Sequence, residues 1–149
     1  MFNNKFMSFA INVAKEGFLA KEIPIGAIIV DPINHKIIGQ NYNLVEKNKD
    51  PTAHAEILAI QAACKKLNSK NLAGMDLYVT LQPCIMCLQA MVYAKIRRVY
   101  FGAYDIRVDI NDIMNLTSNN HKIEIYGGIL EQECKDLLDN FFFNKRLTQ

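Results

Sequence analysis

Glycine and proline are scarce in this chain, seven and four among 149 residues, which excludes a collagen-like repeat or a proline-rich disordered tract. Charge of one sign is scarce as well. Seventeen Lys and Arg stand against fifteen Asp and Glu, a net of +2, too mild a balance to announce a long phosphate backbone as partner. No apolar run approaches the roughly 18 residues that a membrane span needs. The opening stretch, MFNNKFMSFAINVAKEG, does not read as a secretory signal. Ser8 and Asn12 interrupt its apolar run, and Phe6, Phe9, Ala10, Val13, Ala14 and Gly17 follow a helical stripe instead. Cysteine and histidine are few, four and three. What remains is an ordinary globular composition, 50% apolar and 21% charged. It suffices for one domain over residues 1–149 that buries roughly two-thirds of its unfolded surface. A core of that size needs no disulfide staples. These features predict a reduced, cytoplasmic protein with no membrane segment.

The local patterns predict the order α-β-β-α-β-α-β-β-α. A helix opens the chain, and Ala27–Val30 and Lys36–Tyr42 follow as a hairpin around the turn from Pro32 to His35. Asn43 to Pro51 is a polar loop. Thr52 is the expected N-cap of a helix from Ala53 to Leu67. Asp76–Thr80 is a third strand, Cys84–Ala94 a helix and Arg98–Ala103 a fourth strand. Tyr104 to Asn120 is polar and weakly patterned. Lys122–Tyr126 alternates as a half-exposed fifth strand, and Leu130–Asn144 is a closing helix. Such an order describes an α/β fold, a central mixed sheet with helices on both faces.

Two short patterns carry chemistry. His54-Ala55-Glu56 heads the second helix, and Pro83-Cys84-Ile85-Met86-Cys87 stands where the third strand gives way to the third helix. Cysteines at i and i+3 share a helical face, so Cys84 and Cys87 can hold one metal ion together. A helix N-terminus favours their thiolates, and Pro83 fits just before the first turn. A structural zinc site needs four protein ligands. Here only one Cys pair exists, and a third ligand must come from His35, His54 or His121. His35 falls in the hairpin turn and His121 before an edge strand, whereas His54 opens a helix with a carboxylate two residues on. Two thiolates and one imidazole leave the fourth position of a tetrahedral zinc to water. The remaining Lewis acidity lowers that water's pKa from 15.7 towards about 7. Glu56 is then the candidate proton carrier, if the metal lies just beyond the first turn, because residues two apart do not project in parallel from a regular helix. A lone Cys-x-x-Cys also fits a redox pair; both patterns together, in this order, favour the metal. Cys64 and Cys134 fall on apolar helical positions and read as core thiols.

The combination H-x-E…P-C-x-x-C resembles the zinc-dependent, cytidine-deaminase-like superfamily. The wider pattern is similar to the bacterial TadA-type tRNA adenosine deaminases. The stretches EIPIGA from Glu22, DPTAHAEI from Asp50, LYVTL from Leu77, RVYFGA from Arg98, Asn120-His121 and GGIL from Gly127 occur in family order along nearly the whole chain. The resemblance implies a three-layer α/β/α sandwich around a central mixed five-stranded sheet. It implies one Zn2+ per subunit on His54, Cys84 and Cys87, and a homodimer with pockets near the interface. The implied reaction converts the wobble adenosine of a tRNA anticodon, such as tRNA-Arg with ACG, to inosine. Zinc-activated water would attack C6 of the flipped adenine while Glu56 shuttles protons. Asn43, Ala55 and Pro83 would meet the target nucleotide, and Asp105 and Asn120 would belong to the face that takes the anticodon stem-loop. Single-stranded RNA loops are read by stacking more than by net charge. Tyr104, Phe141, Phe142 and Phe143 are therefore candidate platforms, with Lys145 and Arg146 near phosphates and Phe142 counted among the substrate-binding residues.

The chain departs from the family pattern in places that concern RNA contact more than chemistry. Gln82 stands where the family usually has Glu, Leu88-Gln89 replaces a small pair, and Ile106 to Asp112 replaces a more basic, Gly-containing stretch. Phe143 takes a place that is often basic. The rival reading is a deaminase of a free nucleobase or nucleotide (guanine, cytosine or deoxycytidylate) with the same metal and Glu56. Deoxycytidylate-type members carry an Asn shortly after His-Ala-Glu, where this chain has Ile57-Leu58-Ala59. A catalytically silent RNA-binding subunit would lack Glu56, and a structural zinc module would need a fourth ligand.

Overall fold

The computed structural model describes residues 2–117 and 121–148. In chain order its elements are α1 (Phe2–Leu19), β1 (Gly26–Asp31), β2 (Lys36–Tyr42), α2 (Val45–Asn48), α3 (Ala55–Leu67), β3 (Asp76–Leu81), α4 (Ile85–Tyr93), β4 (Arg98–Ala103), α5 (Ile110–Leu116), β5 (Glu124–Tyr126) and α6 (Glu131–Leu147). The strands form one sheet in the order β2-β1-β3-β4-β5. β1 runs antiparallel to both β2 and β3, whereas β3, β4 and β5 are mutually parallel. Parallel neighbours need crossovers, and α4 and α5 lie in those two connections.

β1, β3 and β4 are buried almost end to end, as strands covered on both faces must be. Their alternate residues divide into two cores. Ala27, Ile29, Leu77, Val79, Val99 and Phe101 share one with Ala59 and Ala63 of α3 and Leu88 and Met91 of α4. Ile28, Val30, Tyr78 and Tyr100 share the other with Phe6, Met7 and Ala10 of α1 and Cys134 of α6. The result is the expected three-layer sandwich with a mixed five-stranded sheet. Two glycines set how closely the layers approach. A Cβ on Gly39 would stand 2.6 Å from the Ala59 carbonyl oxygen, and one on Gly26 would collide with the Ala10 carbonyl, so α3 and α1 each press a backbone against a bare glycine.

Four local expectations need correction. Thr52 does not cap α3: its N–H and hydroxyl both donate to Asp50 Oδ1, at 2.8 and 2.7 Å, and His54 occupies the N-cap. The polar loop after β2 contains the single-turn α2. The weakly patterned stretch after β4 contains α5, started by Asp109, whose carboxylate accepts the Asn111 N–H at 2.8 Å. Finally, β5 pairs only from Glu124 to Tyr126, and α6 continues to Leu147.

Candidate active site

The C-terminal ends of β3 and β4 and the N-termini of α3 and α4 meet at one rim of the sheet, the usual location of a site in an open α/β fold. Both helices begin in the same way. His54 is the N-cap of α3 and Cys84 the N-cap of α4, each in extended backbone conformation and neither making a side-chain cap hydrogen bond. Their side chains turn to each other instead. His54 Nδ1 lies 3.6 Å from Cys84 Sγ and 3.4 Å from Cys87 Sγ, and the ligand atoms of the three residues fall within 4.8 Å of one another. The extended backbone at His54 resolves the spacing problem. His54 stands outside the helix and Glu56 in its first turn, so the two need not project in parallel.

The electrostatics suit a divalent cation. The two thiols share a single charge: Cys84 is held down to about 4, chiefly by the hydrogen bond from the Cys87 thiol and then by His54. The Cys87 thiol is pushed far up by that same neighbour and by burial. His54 is raised, mainly through its hydrogen bond with Cys84. Two sulfurs and an imidazole nitrogen at bonding reach, set at two helix N-termini, are the donor set that zinc prefers. The residues present therefore fit zinc, and His54, Cys84 and Cys87 would hold it. Beside them Glu56 is 4% exposed, and burial pushes its carboxyl up to about 7. A carboxyl poised there can both accept and donate a proton near neutral pH.

An open cavity of about 660 Å3 descends to this cluster. Asn43, Ala55, Asp105 and Phe142 all line it, as do His54, Glu56 and Cys84. Pro83 is buried and does not line it, and Asn120 lies outside the described residues. Asn43 is held from two directions. Its N–H donates to the Ile25 carbonyl at 3.0 Å, and the next N–H, of Leu44, donates to the Ala53 carbonyl at 3.0 Å. Buried Glu22 secures the same segment by accepting the Glu46 and Lys47 N–H groups at 3.3 and 2.7 Å. At the mouth, Tyr104 packs edge-on against Phe101 at 4.9 Å, while Phe142 is 41% exposed. Phe141 is partly buried against Phe18, and Phe143 faces solvent outside the cavity wall.

Several wall residues escape the sequence reading. Ile23, Ile25 and Val45 form an apolar side, and Ile106, Arg107 and Lys135 stand at the mouth. Ile23 and Ile25 fall within the EIPIGA stretch, and Ile106 and Arg107 within the stretch that departs from the family pattern, yet neither pattern assigns them to a cavity wall. His121, one of the three histidines weighed as a ligand, is engaged elsewhere, with Nε2 2.7 Å from the Ile96 carbonyl oxygen. Cys134 is a core thiol as expected, 1% exposed, and Cys64 is half-buried beside the other core.

Residues 2–103 match the family model of the cytidine and deoxycytidylate deaminase zinc-binding region. The chain is similar to a tRNA-specific adenosine deaminase of Aquifex aeolicus, 45% identical over 141 residues that cover 92% of this chain and 91% of that one. It is also similar to a solved structure from work on A-to-I editing by tRNA:A34 deaminases at the wobble position, with 36% identity and a TM-score of 0.81 over 90% of this chain and 99% of the other. A guanine deaminase of Bacillus subtilis shares 34% identity and a TM-score of 0.65 over 82% of each chain.

Proposed function

The chain belongs to the tRNA-specific adenosine deaminases of the zinc-dependent cytidine and deoxycytidylate deaminase family, and from that premise we propose that it converts the wobble adenosine of a tRNA anticodon to inosine, with tRNA-Arg bearing ACG as substrate. One observation supports this reading above the others: the wall of the open cavity over Glu56 carries both an exposed aromatic, Phe142, and an exposed basic residue, Arg107. A free base needs an enclosed slot. A nucleotide still attached to its neighbours needs an open mouth with stacking faces and a cation near the phosphates.

In this mechanism His54, Cys84 and Cys87 would hold one zinc ion per subunit. Bound there, the ion supplies the Lewis acidity that makes water nucleophilic near neutral pH. Glu56 takes one proton from the water that adds at C6 of adenine and delivers it to ring nitrogen N1. It then takes the remaining proton from the new C6 hydroxyl and passes it to the amino group, which leaves as ammonia while C6 becomes a carbonyl. The balance is adenosine plus water giving inosine plus ammonia. Asn43 and the backbone at Ala55 orient the extruded base. Asp105 and Phe142 meet its neighbours in the anticodon loop, and Pro83 acts indirectly by setting the backbone that enters α4. Asn120 is assigned to the RNA face by its sequence match alone. We take the working form to be a cytoplasmic homodimer, as the family resemblance implies.

Zinc-loaded protein incubated with tRNA-Arg carrying an ACG anticodon should yield inosine at the wobble position by mass spectrometry. Guanine, cytosine and deoxycytidylate run alongside should remain unchanged. Turnover of one of them with no inosine in the tRNA would replace this reading with a free-base or nucleotide deaminase.

A further inference from the structure

Gln82 directly follows β3, just before Pro83-Cys84, and is buried, 5% exposed. Its N–H donates to the Ala103 carbonyl at 2.8 Å, which ties the end of β3 to the end of β4. Its side chain then reaches across to the loop that follows β4. Nε2 donates to the Val108 carbonyl at 3.0 Å, and Oε1 accepts the Asp105 N–H at 3.1 Å. One buried amide thus anchors both ends of residues 105–108. The loop closes on itself through the Val108 N–H to the Asp105 carbonyl at 3.2 Å. The Asp105 carboxylate continues outward, accepting the Arg107 Nε and Nη2 hydrogens, both at 2.9 Å. The relay begins on a buried amide and ends on a guanidinium whose side chain is 81% exposed. Beside it Ile106 is 97% exposed, and both residues line the cavity mouth.

We propose that Gln82 is a positioning residue for RNA: it holds residues 105–108 so that Ile106 and Arg107 stand ready to meet the nucleotides flanking the target base. This rests on the RNA reading given above. In this chain, whose loop from Ile106 departs from the family pattern together with Gln82, an amide serves both partners, because one side chain donates to the Val108 carbonyl and accepts from the Asp105 N–H at the same time. An ionised carboxylate only accepts, and a thioether does neither well. A loop held in advance loses less freedom when RNA arrives, so the gain appears in binding and not in the chemical step.

The test uses the zinc-loaded enzyme, an anticodon stem-loop RNA and two substitutions of similar size, Gln82→Glu and Gln82→Met. Both are expected to raise KM for the stem-loop about tenfold, with kcat within about twofold and zinc content unchanged. Arg107→Ala, at the far end of the relay, is expected to raise KM similarly while the Asp105 amide stays protected from hydrogen exchange. Wild-type exchange is an independent readout that needs no variant to fold: the Asp105 amide should exchange at least about tenfold more slowly than the neighbouring Ile106 amide. Equal exchange of those two amides overturns the proposal. So does an unchanged KM in both Gln82 variants, or a fall in kcat with loss of zinc at constant KM, which would assign Gln82 to the metal helix. If wild-type enzyme makes inosine and the variants keep their KM, this inference alone fails. If wild-type enzyme makes none in the RNA, the functional reading fails and takes the inference with it.

Discussion

Replacing Glu56 by Gln should stabilise the metal-free protein and, in the zinc-loaded form, greatly reduce activity. Glu56 is 4% exposed, and burial raises its carboxyl from the ordinary 4.5 to about 7. The folded state therefore binds this proton more tightly than the unfolded chain does. Any stability that Glu56 contributes through its proton is fully present below pH 4.5 and is lost as pH rises through 7. By linkage, the gap between those two values amounts to about 3 kcal/mol at pH 8. An amide of the same shape never ionises and escapes that cost. Urea unfolding of chelator-treated protein should show Glu56→Gln more stable than wild type by up to about 3 kcal/mol at pH 8, with the difference closing towards pH 5. In the zinc-loaded form the same variant should keep its metal and lose at least about a hundredfold in kcat, because the proton carrier is gone. Equal stabilities at pH 8 would show that burial does not strain the carboxylate. Activity within tenfold of wild type would remove Glu56 from the reaction.

Other consequences are measurable. Cys87→Ser should lower zinc affinity by at least about a hundredfold, read by competition with a chromophoric chelator, since the buried sulfur is one of the three clustered ligand atoms, with those of His54 and Cys84. Gly26→Ala should destabilise by about 1–3 kcal/mol or more in urea, because the added Cβ meets Ala10 and Ala14 backbone atoms and α1 must move off the sheet. Cys134, whose thiol burial pushes up to about 12, should resist alkylation of the native zinc-loaded protein at pH 8 and react only as fast as the chain unfolds. Half-buried Cys64 should label first.

The legibility of the chain varies with the range of the interaction involved. The strands with unbroken β-branched and aromatic runs, Gly26–Asp31, Asp76–Leu81 and Arg98–Ala103, announce themselves because a strand covered on both faces must be apolar throughout. α5 escapes the sequence reading, because Ile110, Ile113 and Met114 at helical spacing over only seven residues do not stand out from a polar stretch. Thr52 misleads because Thr suits an N-cap and an Asx turn alike, and Asp50 claims it first. At the site, zinc chemistry needs particular atoms, sulfur and imidazole nitrogen, so residue type and close spacing already single out His54, Glu56, Cys84 and Cys87.

Residue identity and short-range periodicity thus single out the candidate ligands, the candidate proton carrier and the alternation of helices with strands, each from a pattern a few positions long. The order β2-β1-β3-β4-β5 is decided only when the whole sheet assembles. That order brings His54 to Cys84 across 30 positions. It also brings the Asp105 and Val108 backbone to Gln82 across 23 and 26. Nothing local encodes such partners. Gln82 looks like any polar residue at the end of a strand until the fold sets a carbonyl and an N–H on either side of its amide.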